Sequence, residues 1–112
     1  MPKSIIRTYS RYSHDAIALL SALIREARIE RKLTAQQVAD RAGISRGLLQ
    51  RIEKGDMKCE IGVVFEVARI VGVDLFEENE SRLSEKLDQT KKRLALLPKT
   101  APKNSKPVRD DF

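Results

Sequence analysis

Four side chains in "SRGLLQRIEKG", Ser45 to Gly55, donate hydrogen bonds or neutralise anions: Arg46, Gln50, Arg51 and Lys54. If the stretch is helical, each residue is turned about 100° from the last. Leu49 and Ile52 then face one side. Ser45, Arg46, Gly47, Gln50, Arg51 and Lys54 face the other. An arginine fork matches O6 and N7 of guanine, and a glutamine amide matches adenine. Each such pair contributes about 1–3 kcal/mol of discrimination between bases. Lys54, at the helix end, suits a phosphate. Gly47 costs a helix up to about 1 kcal/mol against alanine. On this face its missing side chain lets backbone approach a partner; the plainer reading is a glycine in a first turn.

The elements that must position these groups are two short helices in "TAQQVADRAGISRGLLQRIEKG", Thr34 to Gly55. Thr34 followed by Gln37 is a capping box, in which hydroxyl and amide each satisfy an N–H of the helix start. Val38, Ala39 and Ala42 face inward. Gly43 ends the first helix, where a left-handed residue is wanted. Ser45 caps the second, and Gly55 ends it. So short a link forces the helices to cross steeply, which is the helix-turn-helix arrangement that places its second helix in the major groove of DNA. The free N–H groups around Thr34 to Gln36 then abut a phosphate.

Upstream, Ala16, Leu20, Leu23, Ile24 and Ala27 predict a helix starting at Ser13, with Ser13 as its cap and Asp15 in its first turn. Arg25, Arg28, Arg31 and Lys32 lie toward its C-terminal end, where cations suit the helix dipole. Downstream, a helix over about Ile61 to Val71 turns Val64, Val67, Ala68 and Val71 inward and stops at Gly72. Leu75 and Phe76 close the core. From residue 79 to 97, Leu83, Leu87, Thr90, Leu94 and Leu97 repeat at heptad-like spacing. That stripe has three uses open to it: packing on the domain, pairing with a copy of itself, or binding another protein. The expected division is a basic arm (1–12), a helix-turn-helix domain (13–78), an amphipathic helix (79–97) and a disordered basic tail (98–112).

Charge is unevenly spread over the 112 residues, whose net charge is +6. Residues 1–58 carry 12 Lys/Arg against 6 Asp/Glu, residues 59–90 carry 3 against 8, and residues 91–112 carry 7 against 2. A basic first half beside an acidic middle suggests one face for a polyanion and another for a different partner. No apolar run approaches the roughly 18 residues of a membrane span, and the N-terminus lacks the apolar core of a secretory signal. The single cysteine, Cys59, fits a reducing cytoplasm. With no Trp and few aromatics, the core must come from Leu, Ile, Val and Ala, a marginal core for which dimerisation is a common remedy.

The stretches "LIREARIERKLTAQQVADRAGISRGLLQRIEKG" and "VFEVARIVGVDLF" resemble the lambda-repressor-like, XRE-type helix-turn-helix family over residues 20–76. "LTAQQVADRAGIS" and "IEKG" carry most of the match. The resemblance implies an all-α, five-helix domain with a C-terminal helical extension, a homodimer, and binding to a palindromic operator in double-stranded DNA. One position departs: phage repressors often place Gln after the helix cap, and Ala35 stands there, which shifts base reading onto Arg46 and Arg51. The run "IGVVFEVA" after the second helix also looks like the antitoxins paired with HipA-type kinase toxins. That narrower resemblance implies an autorepressor bound to a kinase-like toxin.

No catalytic constellation appears. His14 is the only histidine and has no base-orienting partner near it in sequence. Cys59 has no second thiol or nearby histidine, so no metal is expected. No P-loop or dinucleotide fingerprint implies a cofactor. Glu77, Glu78 and Glu80 read as a solvated helix start. Three readings follow: an antitoxin and autorepressor, a stand-alone regulator dimerised through Leu83, Leu87, Leu94 and Leu97, or a protein-binding adaptor. All three place the chain in the cytoplasm, the first two on the nucleoid.

Overall fold

The computed structural model describes residues 8–77 and 79–100. The N-terminal arm through residue 7, Glu78, and the tail from residue 101 lie outside them. Among the described residues there are five α-helices and no strand: α1 (Arg11–Glu30), α2 (Ala35–Ala42), α3 (Arg46–Glu53), α4 (Ile61–Val71) and α5 (Glu80–Ala95). The architecture is all-α, as expected. The chain divides into two units, with the boundary between Leu75 and Phe76. None of the helices is long and apolar enough to cross a membrane.

The first unit is built on eight buried apolar residues: Ile24, Val38, Ala39, Leu49, Ile52, Val67, Ala68 and Val71. All are aliphatic, as the lack of aromatics required. Around them pack Leu20, Ala27, Leu33, Ala42, Ile44, Leu48, Val64 and Leu75, among others. Phe76, expected to help close the core, falls in the second unit and is 77% exposed.

Helix α1 departs from expectation in two ways. It begins one turn earlier, because Ser10 rather than Ser13 caps it: Ser10 Oγ accepts the N–H of Ser13 at 3.2 Å. Asp15 therefore falls outside the first turn, which holds no acid. The buried face is also rotated from the expected stripe. Ala16 is exposed and Leu23 is 40% exposed, whereas Ser21 is buried. The cause is Gly55. A Cβ there would meet Ser21 Oγ at 3.6 Å and the Ala18 backbone at 3.8 Å. A small residue at 21 lets the turn after α3 lie against α1, and an apolar stripe alone does not reveal it.

The remaining helix ends follow the sequence closely. Thr34 Oγ1 accepts the N–H of Gln37 at 3.0 Å, and Gln37 Oε1 accepts the N–H of Thr34 at 2.8 Å. Ser45 Oγ accepts the N–H of Leu48 at 3.0 Å. Helix α2 ends on Gly43 at φ 68°, with Gly43 N–H bonded to Asp40 O and Ile44 N–H to Ala39 O. Helix α3 ends the same way on Gly55 at φ 79°, with Gly55 N–H bonded to Ile52 O and Asp56 N–H to Arg51 O. These pairs of bonds are Schellman motifs, which satisfy the last carbonyls and reverse the chain within two residues.

The strongest polar link in the first unit joins α1 to α3. Arg28 Nε donates to Glu53 Oε2 at 2.8 Å, and Arg28 Nη2 donates to Oε1 at 3.0 Å. Arg28 Nη1 donates to Leu33 O at 3.0 Å. The two side chains are only 15% and 9% exposed. The hydrogen bonds that Arg28 donates to Glu53 raise its guanidinium above its ordinary pKa. A helix-end role does not describe Arg28; it ties α1, the α1–α2 turn and α3 together.

The second unit carries α5, capped by Asn79, whose Oδ1 accepts from Ser81 and Arg82 N–H. No α5 residue is buried: Leu83, Leu87 and Leu94 are 44%, 53% and 65% exposed. Leu97 lies past the helix end and is 61% exposed. Lys86 Nζ pairs with Glu77 Oε2 at 2.9 Å, which holds the Glu77 carboxyl below its usual range.

Breaking the Arg28–Glu53 pair from one side strands a mostly buried cation. Glu53→Gln is expected to lower stability by about 2–4 kcal/mol, a fall of roughly 10 °C or more in Tm for a domain of this size. Urea denaturation followed by circular dichroism measures it. Adding Arg28→Met is expected to recover part of the loss.

Candidate nucleic-acid interface

Helix α3 has eight residues, and only two are buried, Leu49 and Ile52. Its outer face is centred on Gly47, with Arg46 and Gln50 on one side, Arg51 on the other and Lys54 at the end. Gly47 is not forced by packing inside the chain. A Cβ there would meet only Ser45 Oγ, at an ordinary 3.9 Å. The bare backbone at the centre of the face is open to the outside.

On one side of Gly47, Arg46, Gln50 and Lys54 share a cleft of about 300 Å³ with Arg25 and Arg28 of α1 and with Ala35 at the start of α2. Leu49 and Glu53 complete its lining. Arg28 and Glu53 neutralise each other there. Arg25, Arg46 and Lys54 make no ion pair among the described residues, so the cleft carries uncompensated positive charge. Arg25 was missed in the sequence, where its helix-end position gave it a sufficient role. Its distance along the chain from α3 hid the pairing, since only the crossing of α1 over α3 brings them together.

Ala35 stands at the wall of this cleft. It adds no polar group. Beside it, the first-turn N–H groups of Ala35 and Gln36 precede the first helical bond, from Val38 N–H to Thr34 O, and point out of the helix end. The hydroxyl and N–H of Thr34 are both engaged in the cap. The Gln36 amide donates to Asp40 Oδ1 at 2.8 Å. Thr34 and Gln36 therefore contribute to this surface mainly through the backbone they hold.

On the other side of Gly47, Arg51 lines a second cleft of about 260 Å³ with Leu48, Lys58, Cys59, Glu60 and Val63. It does not stand free as Arg46 does. Arg51 Nε donates to Asp56 Oδ2 at 2.7 Å, and this bond raises the guanidinium above its ordinary pKa. Asp56 Oδ1 accepts the N–H of Lys58 at 2.8 Å. That backbone bond, then Arg51, holds the Asp56 carboxyl below its usual range, so it is ionised near neutrality. Cys59 is driven the opposite way, its thiol pushed up by burial. Among the described residues no three His, Cys, Asp or Glu side chains gather as a metal site would require. His14 makes an edge-to-face contact with Tyr9, ring centres 6.0 Å apart.

Two short helices joined by a Schellman turn, the second with a donor-rich outer face, form a helix-turn-helix arrangement. The helix-turn-helix family model matches residues 24–77 of the chain, which span α2, α3 and α4 and the C-terminal third of α1. The chain is 31% identical over 72 residues to the cryptic phage CTXphi transcriptional repressor RstR of Vibrio cholerae. The alignment covers 62% of this chain and 65% of that protein, just under two thirds of its length. No solved structure gives a significant match.

Gly47 offers a test that separates fold from site. Gly47→Ala is expected to raise stability, by up to about 1 kcal/mol, because nothing in the chain opposes the methyl group. The same change is expected to weaken DNA binding if backbone at 47 meets the groove. Thermal melting and fluorescence anisotropy with a labelled duplex measure the two effects.

Proposed function

We propose that this protein is a sequence-specific DNA-binding transcriptional repressor, with α3 lying in the major groove of double-stranded operator DNA. The observation that carries this reading is the outer face of α3. Arg46, Gln50, Arg51 and Lys54 surround a bare Gly47, and Arg25 of α1 adds a cation from beside them. Arg46 and Arg51 pair with guanine, and Gln50 with adenine. Ser45 lies at the groove edge. Lys54, Arg25 and the α2 start around Thr34 and Gln36 meet phosphates. Neutralised phosphates release counterions, so affinity falls steeply with salt.

The exposed leucines of α5, Leu83, Leu87 and Leu94, with Leu97 beyond it, support a homodimer, since a copy of the same stripe would cover them. A dimer sets two α3 helices about 34–36 Å apart, one turn of DNA, on a palindromic site. The relative that is itself named a transcriptional repressor favours the stand-alone regulator. The antitoxin reading, with its kinase-like toxin, rests on the sequence resemblance alone. Either regulator would work in the cytoplasm on the nucleoid.

Selection from a randomised duplex pool, followed by sequencing, tests the reading directly. Enrichment of a palindrome is expected; no enrichment would sink it. On the enriched duplex, Arg46→Ala and Arg51→Ala are each expected to lower affinity by roughly 5- to 100-fold, with a much smaller loss on a scrambled duplex. Equal losses on both would make that arginine a phosphate contact only. Analytical ultracentrifugation of Leu87→Glu with Leu94→Glu is expected to show monomers where the unaltered chain is dimeric.

A further inference from the structure

Arg51 is the one base-reading candidate whose side chain is already held. Its Nε is bonded to Asp56 at 2.7 Å, while its side chain stays 52% exposed. Its two Nη groups make no hydrogen bond among the described residues. A guanidinium held through Nε is restrained while its outer edge stays free, and that edge carries the pair of N–H donors that fits guanine O6 and N7.

The anchor is itself firmly placed. Asp56 follows the left-handed Gly55, and its N–H bonds to Arg51 O at 3.1 Å, so helix end and carboxylate share one geometry. Its second oxygen is fixed by Lys58 N–H. Both carboxylate oxygens are thus committed, one to the loop and one to Arg51. On a face that meets a polyanion, the charge of a carboxylate by itself opposes phosphate.

We propose that Asp56 is a positioning residue for Arg51: it holds the guanidinium by Nε so that the Nη edge is presented to a guanine before DNA arrives. This deepens the reading of α3 as a recognition helix and rests on it. Holding the fork in advance removes the ordering cost of a long side chain from the binding step, and it does so only for the base that Arg51 meets.

The test uses the duplex enriched from the randomised pool and variants of it at each base pair. Asp56→Asn keeps an oxygen for Lys58 N–H and removes the charge that holds Arg51; a thermal melt verifies that it folds. The base pair read by Arg51 is the one whose discrimination Arg51→Ala removes. At that base pair, Asp56→Asn is expected to reduce discrimination by roughly 5- to 20-fold, within the range of one arginine–guanine pair. Discrimination elsewhere and affinity for scrambled duplex are expected to stay within about threefold. In an Arg51→Ala background, Asp56→Asn is expected to change discrimination nowhere. Tighter binding with unchanged discrimination would overturn the proposal, because Asp56 would then merely compete with DNA for Arg51. A loss spread over all base pairs would also overturn it, making Asp56 a general support of the loop. If the unaltered protein enriches no sequence, the recognition-helix reading fails first and the proposal falls with it.

Discussion

An eight-residue helix such as α3 does not hold its shape alone in water, and two buried side chains do not fix its angle. Its orientation depends on the Arg28–Glu53 pair. Three N–H groups of one guanidinium are used, two on Glu53 near the end of α3 and one on Leu33 O between α1 and α2. A bidentate pair tolerates little rotation. It therefore sets how α3 lies against α1, whereas the aliphatic core sets only how closely. The pair is also largely out of solvent, so neither partner can be spared without leaving the other charge uncompensated.

The turns do the complementary work. Steep crossing of α2 and α3 requires the chain to reverse between Ala42 and Ser45, and Gly43 supplies the left-handed residue that makes this possible. The same device after α3 places Asp56 back over Arg51 and presses Gly55 onto Ser21. Helix α1 ends likewise, though with Lys32 at φ 58° in place of a glycine. A side chain in that region costs roughly 1–2 kcal/mol. Accuracy at these ends matters more than helix propensity, because every group proposed to touch DNA lies within two turns of one of them.

Local features of the sequence were legible where the governing interactions were local. The Thr34–Gln37 capping box, the Ser45 cap, Gly43, Gly55 and the span of α4 involve neighbours within a few residues, and composition announces them. What was not legible depended on residues far apart in the chain. Ser21 is buried where the turn at Gly55 lies against α1, and no periodicity signals a polar residue on an inward face. Arg28 resembled a helix-end cation until Glu53, on another helix, came into view. Even the start of α1 turned on which of two serines, Ser10 or Ser13, acts as cap. The signal available for Arg51 was its nearness to Asp56, five residues on across a predicted glycine stop, where a reversing chain brings i and i+5 together.

Seven basic residues of the first unit fall into two groups, and the division bears on how strength and selectivity are separated on the proposed reading. Arg11, Arg28, Arg51 and Arg69 are paired with carboxylates. Arg25, Arg46 and Lys54 share a cleft and have no such partner among the described residues. Unpaired cations attract any polyanion and lose that attraction to salt, whatever its sequence. A paired cation has its charge partly neutralised and contributes less to that general attraction, yet its direction is already fixed. Selectivity depends on direction, since a fork misaligned by a rotamer offers the wrong base nearly as much as the right one. Arg51 belongs to the paired group and is still 52% exposed, so on the proposed reading it offers a directed fork at the surface.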